Sequence, residues 1–290
     1  MTDRQWNEAQ DRQLQQGLPA LSQRLRDATV KEGDITDAAW DRIDSFLQAR
    51  QGDLQEALTH YAKILLQWQE VFHLLGQQNN QDFVALHLLD SVSGALLLAG
   101  KGCFQQALLQ IIDVGSGLGL PGLPLAIFLT LWEREHGGPK NRIFLVEPAA
   151  RRANILRSMT AELSLQSTVQ VCEHTVEEWS KMQGFADEQL REEKNARRIV
   201  TCRAFRPLDR KSRKQLLKPL QLLGTETRGI LLYKGNRQTA QKELENQISR
   251  GPKTEESPSK RQLLKVRTIT ECFFELPQCS HQRSLFYLEL

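Results

Sequence analysis

An acid and four glycines stand at a spacing that could hold a small ligand against bare backbone. Asp113 is followed by Gly115, Gly117, Gly119 and Gly122 in Ile111-Ile112-Asp113-Val114-Gly115-Ser116-Gly117-Leu118-Gly119-Leu120-Pro121-Gly122. Glycine allows left-handed turns and lets a ligand reach the main chain without meeting a Cβ. Gly117 to Gly122 fits the dinucleotide fingerprint, so a nicotinamide or flavin cofactor is one reading. Asp113 argues against it, because a carboxylate two residues before the first glycine would repel a pyrophosphate. Pro121 also removes a donor that a pyrophosphate would want at the following helix start. The acid suits a ligand with an ammonium and a sulfonium, which is the chemistry of S-adenosylmethionine.

Three more groups bear chemistry. Glu147 ends the run Arg142-Ile143-Phe144-Leu145-Val146, about one strand–helix–strand unit after the glycines, where an acid can accept ribose hydroxyls. Val176 and Glu177, in Glu173-His174-Thr175-Val176-Glu177-Glu178, stand where an adenine is contacted in such folds; a helix start with acids favoured by the dipole is the alternative. Arg203 ends Val200-Thr201-Cys202-Arg203, where it can meet a carboxylate or phosphate, or donate to guanine O6. Neither the Asn/Asp-Pro-Pro-aromatic loop of exocyclic amine methylation nor the Pro-Cys of pyrimidine methylation is there. Guanine N7 carries a lone pair and no proton, so its methylation would need positioning rather than a base. His87 and Ser91 lie one helical turn apart with Asp90 between them, either as working groups or as an ion-paired helix surface.

The elements that must position these groups change character near residue 105. Before it, apolar residues recur at helical spacing: Ile43, Phe46 and Leu47 after a cap at Asp34–Asp37; then Leu54, Leu58, Tyr61, Ile64, Leu65, Trp68, Val71 and Phe72; then Leu86, Leu89, Val92, Leu96 and Leu97. After it, strands are expected at 108–114, 142–147, 168–173, 198–203, 228–233, 265–275 and 283–289, with helices such as 150–163 and 212–223 between the first five. The last two strands are joined by a short turn and should pair antiparallel. The expected fold is therefore α/β, a doubly wound seven-stranded Rossmann-like sheet over 106–290 with an N-terminal helical region, 1–105, packed on it. Charged loops are expected at 184–196 and 249–260.

Composition excludes several classes. The 290 residues carry a net charge of +3, which names no partner. A local stripe is more telling: Arg191 to Lys218 holds eleven Lys/Arg, Arg206 and Arg210 among them, against three acids, enough to meet phosphates. Five cysteines without C-x-x-C pairing fit a reduced compartment and neither a disulfide scaffold nor a zinc site. The polar N-terminus is no signal peptide and no apolar run is long enough for a membrane span. A cytoplasmic protein, acting as a monomer without metal, is expected.

Together the motifs resemble the bacterial small-subunit (16S) ribosomal RNA guanine-N7 methyltransferases, the glucose-inhibited division protein B family, from about Tyr61 to the C-terminus. The resemblance rests on Tyr61–Trp68, on His87-Leu88-Leu89-Asp90-Ser91, on Asp113 to Ala126 with its Pro-Gly-x-Pro tail, on Val176-Glu177-Glu178, on Cys202-Arg203-Ala204-Phe205, on Leu232-Tyr233-Lys234-Gly235 and on Arg283. It implies a class I methyltransferase that uses S-adenosylmethionine and forms 7-methylguanosine in small-subunit rRNA or a ribosomal particle. Asp113, Gly115, Gly117, Gly119 and Leu120 would then hold the methionine part of the cofactor, and Glu147, Val176 and Glu177 the adenosine, with Arg203 beside both cofactor and base. Arg203, His87 and Asp90 would serve catalysis, and Lys234, Arg283, Arg206 and Arg210 the RNA. Leu86 and Thr175 stand where the family commonly has arginine, and His73-Leu74-Leu75-Gly76 replaces an Asn-Leu-Thr segment. A different RNA base, a protein acceptor, and a non-catalytic RNA-binding relative are the alternatives.

Overall fold

The computed structural model describes residues 6–30, 35–72, 82–105, 108–186, 197–203, 228–235, 237–248 and 267–289. All seven expected strands are among them: β1 (Leu109–Val114), β2 (Arg142–Val146), β3 (Val169–Cys172), β4 (Arg197–Arg203), β5 (Arg228–Lys234), β6 (Thr268–Glu275) and β7 (Gln282–Glu289). They form one sheet in the order β3-β2-β1-β4-β5-β7-β6. The first five are parallel, and β7 runs antiparallel to both β5 and β6. Strand order reverses between β1 and β4, and in open α/β sheets such a switch point opens a crevice at the carboxyl ends of the strands. The helical stretch at 212–223, the loop at 249–260, most of the basic stripe including Arg206 and Arg210, and His73–Gly76 lie outside the described residues.

Before the sheet come α1 (Glu8–Val30), α2 (Asp37–Phe72), a π-helical turn (Val84–Leu89) and α3 (Asp90–Gly100). Thr36 caps α2, its hydroxyl accepting from the Ala39 N–H at 3.3 Å. The two apolar patterns read over 43–72 are one 36-residue helix. Trp40, Ile43, Phe46, Leu54, Leu58 and Tyr61 are buried along one continuous stripe, so burial carries the helix through Gly52. That glycine costs about 1 kcal/mol against alanine. The later helices are α4 (Gly122–His136), α5 (Ala150–Glu162), α6 (Val176–Ala186) and, among the described residues, α7 (Arg237–Ile248).

Successive strand residues point to opposite faces, and the two faces bury different partners. Ile111, Ile143, Leu145, Ile199, Leu231 and Tyr287 join one apolar cluster with α1 to α5. Ile112, Phe144, Val146, Val200, Leu232 and Phe286 join a second, capped by Val176, Trp179 and Ala240 of α6 and α7. The helical region before residue 105 thus shares its core with the sheet. Among the described residues no helix is long and apolar enough to cross a membrane. None of the five cysteines forms a disulfide, and four are buried.

Candidate active site

The crevice at the β1/β4 switch point is built from strand ends. Asp113 is 1% exposed. Its Oδ2 accepts from the Ser116 hydroxyl at 2.7 Å and the Gly122 N–H at 3.2 Å, while Oδ1 meets no donor among the described residues. Burial pushes this carboxyl up to about 6, against the pull of those two hydrogen bonds. A buried oxygen without a donor is costly, and a ligand ammonium would satisfy it.

The glycines divide into two pairs. Gly115 and Gly117 have φ of +70° and +60°, and a Cβ on Gly115 would meet nothing within 4 Å. A Cβ on Gly119 would strike Leu123, and one on Gly122 would strike Leu145 and Asp113 Oδ2. The first pair faces open space; the second lets the loop close on α4. Leu120 is half-buried beside it. Tyr61 of α2 donates to the Leu118 carbonyl at 3.1 Å and so ties the loop to the N-terminal helices. Gly115→Ala is expected to cost about 1–2 kcal/mol for a side chain held at positive φ. The added methyl would also enter the crevice, so cofactor affinity, read by isothermal titration, should fall more steeply than the thermal midpoint.

Glu147, 1% exposed, follows β2. Its Oε2 accepts from Gly117 N–H at 3.0 Å; its Oε1 accepts from Ala149 N–H at 3.0 Å and from Arg152 Nη2 at 2.7 Å. It therefore braces the loop as well as facing the crevice. After β3, Thr175 and Glu178 form a capping box on α6. The Glu178 N–H donates to the Thr175 hydroxyl at 3.2 Å, and the Thr175 N–H donates to Glu178 Oε2 at 2.9 Å. The threonine in place of the family's common arginine thus has a local role, and of the two acids only Glu177 is outside the box. Val176 is buried and Glu177 half-buried. Thr175→Ala should lower stability by about 1 kcal/mol, seen as a fall in the urea midpoint.

The Arg203 cluster forms the other wall. Asp113 pairs in register with Thr201 of β4, so Arg203, two residues on, projects from the same face. Its Nη2 is 2.8 Å from His87 Nδ1, and its Nη1 donates to the His87 carbonyl at 3.2 Å and the Ser91 hydroxyl at 3.1 Å. Its Nε lies 3.5 Å from Asp90 Oδ2. Arg283 Nε donates to the other oxygen, Oδ1, at 3.2 Å. His87 and Asp90 are 5% and 3% exposed, so they are no ion-paired helix surface. A guanidinium has donors only, so His87 Nδ1 must accept and the ring is neutral. Burial, then Arg203 and Arg283, push its pKa down to about 3. Burial raises the Asp90 carboxyl while the two guanidiniums pull it back.

The π-helical turn presents this cluster, and the Ser91 hydroxyl donates to the His87 carbonyl at 2.6 Å. Tyr233 of β5 donates to the Ser91 carbonyl at 2.9 Å and packs on Gly94, where a Cβ would collide with it. Lys234 ends β5 beside Ser284 of β7. Leu86 is buried, so the position where the family commonly has arginine faces the core here. Sequence reasoning placed Tyr61, Ser116 and Tyr233 only within motifs, named no contact for them and passed over Arg152; the legible signal was a hydroxyl-bearing aromatic within an apolar stripe at 61 and 233.

The fold is similar to that of an O-methyltransferase from Bacillus cereus solved in complex with SAH, with TM-score 0.50 at 13% identity, over 79% of this chain and 90% of that one. A ribosomal RNA small subunit methyltransferase G from Methylococcus capsulatus is 33% identical over 134 residues, 46% of this chain and 57% of that relative. The one from Vibrio vulnificus is 30% identical over 168 residues, 58% and 64%. The matched stretches thus span between half and two thirds of these relatives. The family model described as rRNA small subunit methyltransferase G, GidB, matches residues 54–264. Because that match covers well over half of the chain and runs through the crevice itself, the chain belongs to the GidB family.

Proposed function

We propose that this chain transfers the methyl group of S-adenosylmethionine to N7 of a guanine in 16S small-subunit rRNA. The observation that carries the reading is Asp113, a buried carboxylate with one unsatisfied oxygen beside two glycines at positive φ. That free acceptor fits an ammonium and rejects a pyrophosphate. Gly115, Gly117 and Leu120 then flank the methionine part, with Gly119 shaping the loop. Val176 and Glu177 flank the adenine. Glu147 has about four acceptor sites, of which three are used within the chain. The fourth is open to a ribose hydroxyl, and Arg152, with its side chain 42% exposed, can yield a second.

Bound S-adenosylmethionine supplies an electrophilic methyl on a sulfonium. This chain's residues orient the acceptor. Arg203 is held by His87, Ser91 and Asp90, which take both Nη1 hydrogens, one Nη2 hydrogen and Nε, so the second Nη2 N–H is the donor left for guanine O6 or a phosphate. Lys234 and Arg283 add cations beside it for the RNA. N7 loses no proton, which agrees with His87 being too weak a base to remove one near neutrality. Arg206 and Arg210, outside the described residues, extend the same basic stretch of sequence. A ribosomal substrate makes the cytoplasm the place of reaction.

The test is transfer of labelled methyl from S-adenosylmethionine to deproteinised small-subunit rRNA and to intact small subunits, with wild type and Arg203→Ala. The expected result is 7-methylguanosine from the wild type and a loss of at least 100-fold in the variant, the scale of a lost positioning group. Cofactor binding without transfer to either substrate would overturn the rRNA assignment and point to another RNA base, a protein acceptor or a non-catalytic role.

A further inference from the structure

A groove lies beyond the Arg203 cluster at the edge of the sheet. Edge strand β6 runs parallel to β5 because β7 is antiparallel to both, so its C-terminal end lies on the rim that carries the crevice. In register across that rim, Arg203 pairs with Tyr233, Lys234 with Ser284, and Ser284 with Phe273. Two adjoining cavities, of about 440 and 260 Å³, share Arg237, Phe273 and Glu275 as walls. Arg24 of α1 closes the outer one and Arg283 the inner one. Since Arg283 also binds Asp90, the groove begins where the Arg203 cluster ends.

Its chemistry is that of a nucleic-acid track. The Arg237 guanidinium lies over the Phe273 ring at 4.0 Å from the centroid, and Phe273 is half-buried against Phe286. An exposed arginine on a fixed aromatic offers a cation and a stacking platform together. Arg24 is aimed by its Nη1, which donates to the Glu275 carbonyl at 2.5 Å; Arg283 is aimed by Asp90 and the Gln282 carbonyl. Each guanidinium has five donors, so these bonds fix direction and leave donors for phosphate oxygens. From β4 to β6 the rim crosses three strand spacings, about 15 Å, long enough for a few nucleotides beside the base in the crevice. Asp27 and Glu275 also line the groove, and these two acids disfavour an acidic peptide, which has no base to stack on the Arg237–Phe273 pair.

We propose that this groove, walled by Arg24, Arg237, Phe273 and Arg283, binds the single-stranded RNA that flanks the methylated guanine. One base stacks on the Arg237–Phe273 pair, and Arg24 and Arg283 hold phosphates on either side. The inference rests on the rRNA methyltransferase reading for the identity of the RNA.

Arg24→Glu and Arg237→Glu, both away from the crevice, test it. With deproteinised small-subunit rRNA as probe, filter binding of the full chain is expected to weaken about tenfold per substitution, with the slope of log K against log salt reduced by about 1. KM for rRNA should rise in parallel, while the S-adenosylmethionine Kd and the thermal midpoint stay as in the wild type. Phe273→Leu, which keeps an apolar side chain, should weaken rRNA binding without changing the salt slope. Unchanged rRNA affinity and salt slope in both charge reversals would overturn the proposal. So would an effect seen with intact subunits and absent with deproteinised rRNA, which would assign the groove to a ribosomal protein. If the wild type transfers no methyl to rRNA, the functional reading fails; the binding arm still decides whether this groove holds RNA.

Discussion

Asp113→Asn is expected to weaken S-adenosylmethionine binding about 100-fold, the scale for losing a buried charge-assisted hydrogen bond and leaving a cation unpaired, without unfolding the protein. The amide oxygen can keep the Ser116 and Gly122 bonds that Oδ2 now accepts, and the amide nitrogen would face the ligand ammonium in place of Oδ1. Stability should move the other way. Folding raises this carboxyl from 3.8 to about 6, so the group's stabilising effect is complete below pH 3.8 and is lost as pH rises through 6. Ionised, it costs about 3 kcal/mol relative to an ordinary carboxylate, and the amide removes that cost. His87 has the opposite sign. Its pKa is depressed from 6.5 to about 3, so acidification below 6.5 protonates the unfolded chain first and destabilises the fold. Between pH 4 and 6 the two groups offset each other in the wild type. In Asp113→Asn the His87 effect stands alone, a loss of about 1.4 kcal/mol per pH unit relative to wild type. Urea melts at pH 4.5, 5.5 and 7.5 check this, and titration calorimetry at pH 7.5 checks the cofactor. Cofactor affinity in the wild type should itself fall as pH drops through 6. An affinity unchanged by the amide would remove Asp113 from the cofactor site.

Arg203→Lys should abolish most methyl transfer, at least 100-fold, although it keeps the charge. The guanidinium reaches His87 Nδ1, the His87 carbonyl, the Ser91 hydroxyl and Asp90 at once. An ammonium is a point donor that cannot span that fork. Arg203→Ala goes further, since Asp90 would keep only Arg283. Breaking a buried pair from one side costs about 3–5 kcal/mol, and the 15% exposure of the Arg203 side chain puts the expectation at the lower end. Circular-dichroism melts separate the two variants: the lysine form should lose activity with a small shift in midpoint, the alanine form both. Full turnover by Arg203→Lys would show that the fork geometry is not used.

The backbone of this fold was legible because its signals are local. Apolar strand runs such as Ile111–Val114 and Arg142–Val146, each followed by glycine or acid, announced β-strands with chemistry at their ends, and β1 to β7 fall within two or three residues of the expected bounds. The glycine loop was legible for the same reason, since positive φ at Gly115 and Gly117 is a demand that residue type alone answers. Less was legible where one element's role depends on another. The break read between Leu47 and Leu54 vanished because α2 buries one continuous stripe against α1 and α4.

By itself the sequence determined the order of the elements, the residues that end each parallel strand, and the acid–glycine loop. Hydrophobic period and backbone permission act within a few residues, so they are written along the chain. The tertiary structure decided what those residues do to one another. Asp113 became a desolvated carboxyl, 1% exposed, because the fold buries the end of β1 beneath the glycine loop. His87 became neutral, and Asp90 a bridge between two arginines 193 and 113 residues along the chain from it, because the π-helical turn and the ends of β4 and β7 meet at one rim. Desolvation and ion pairing across more than a hundred residues depend on distances that no local pattern encodes.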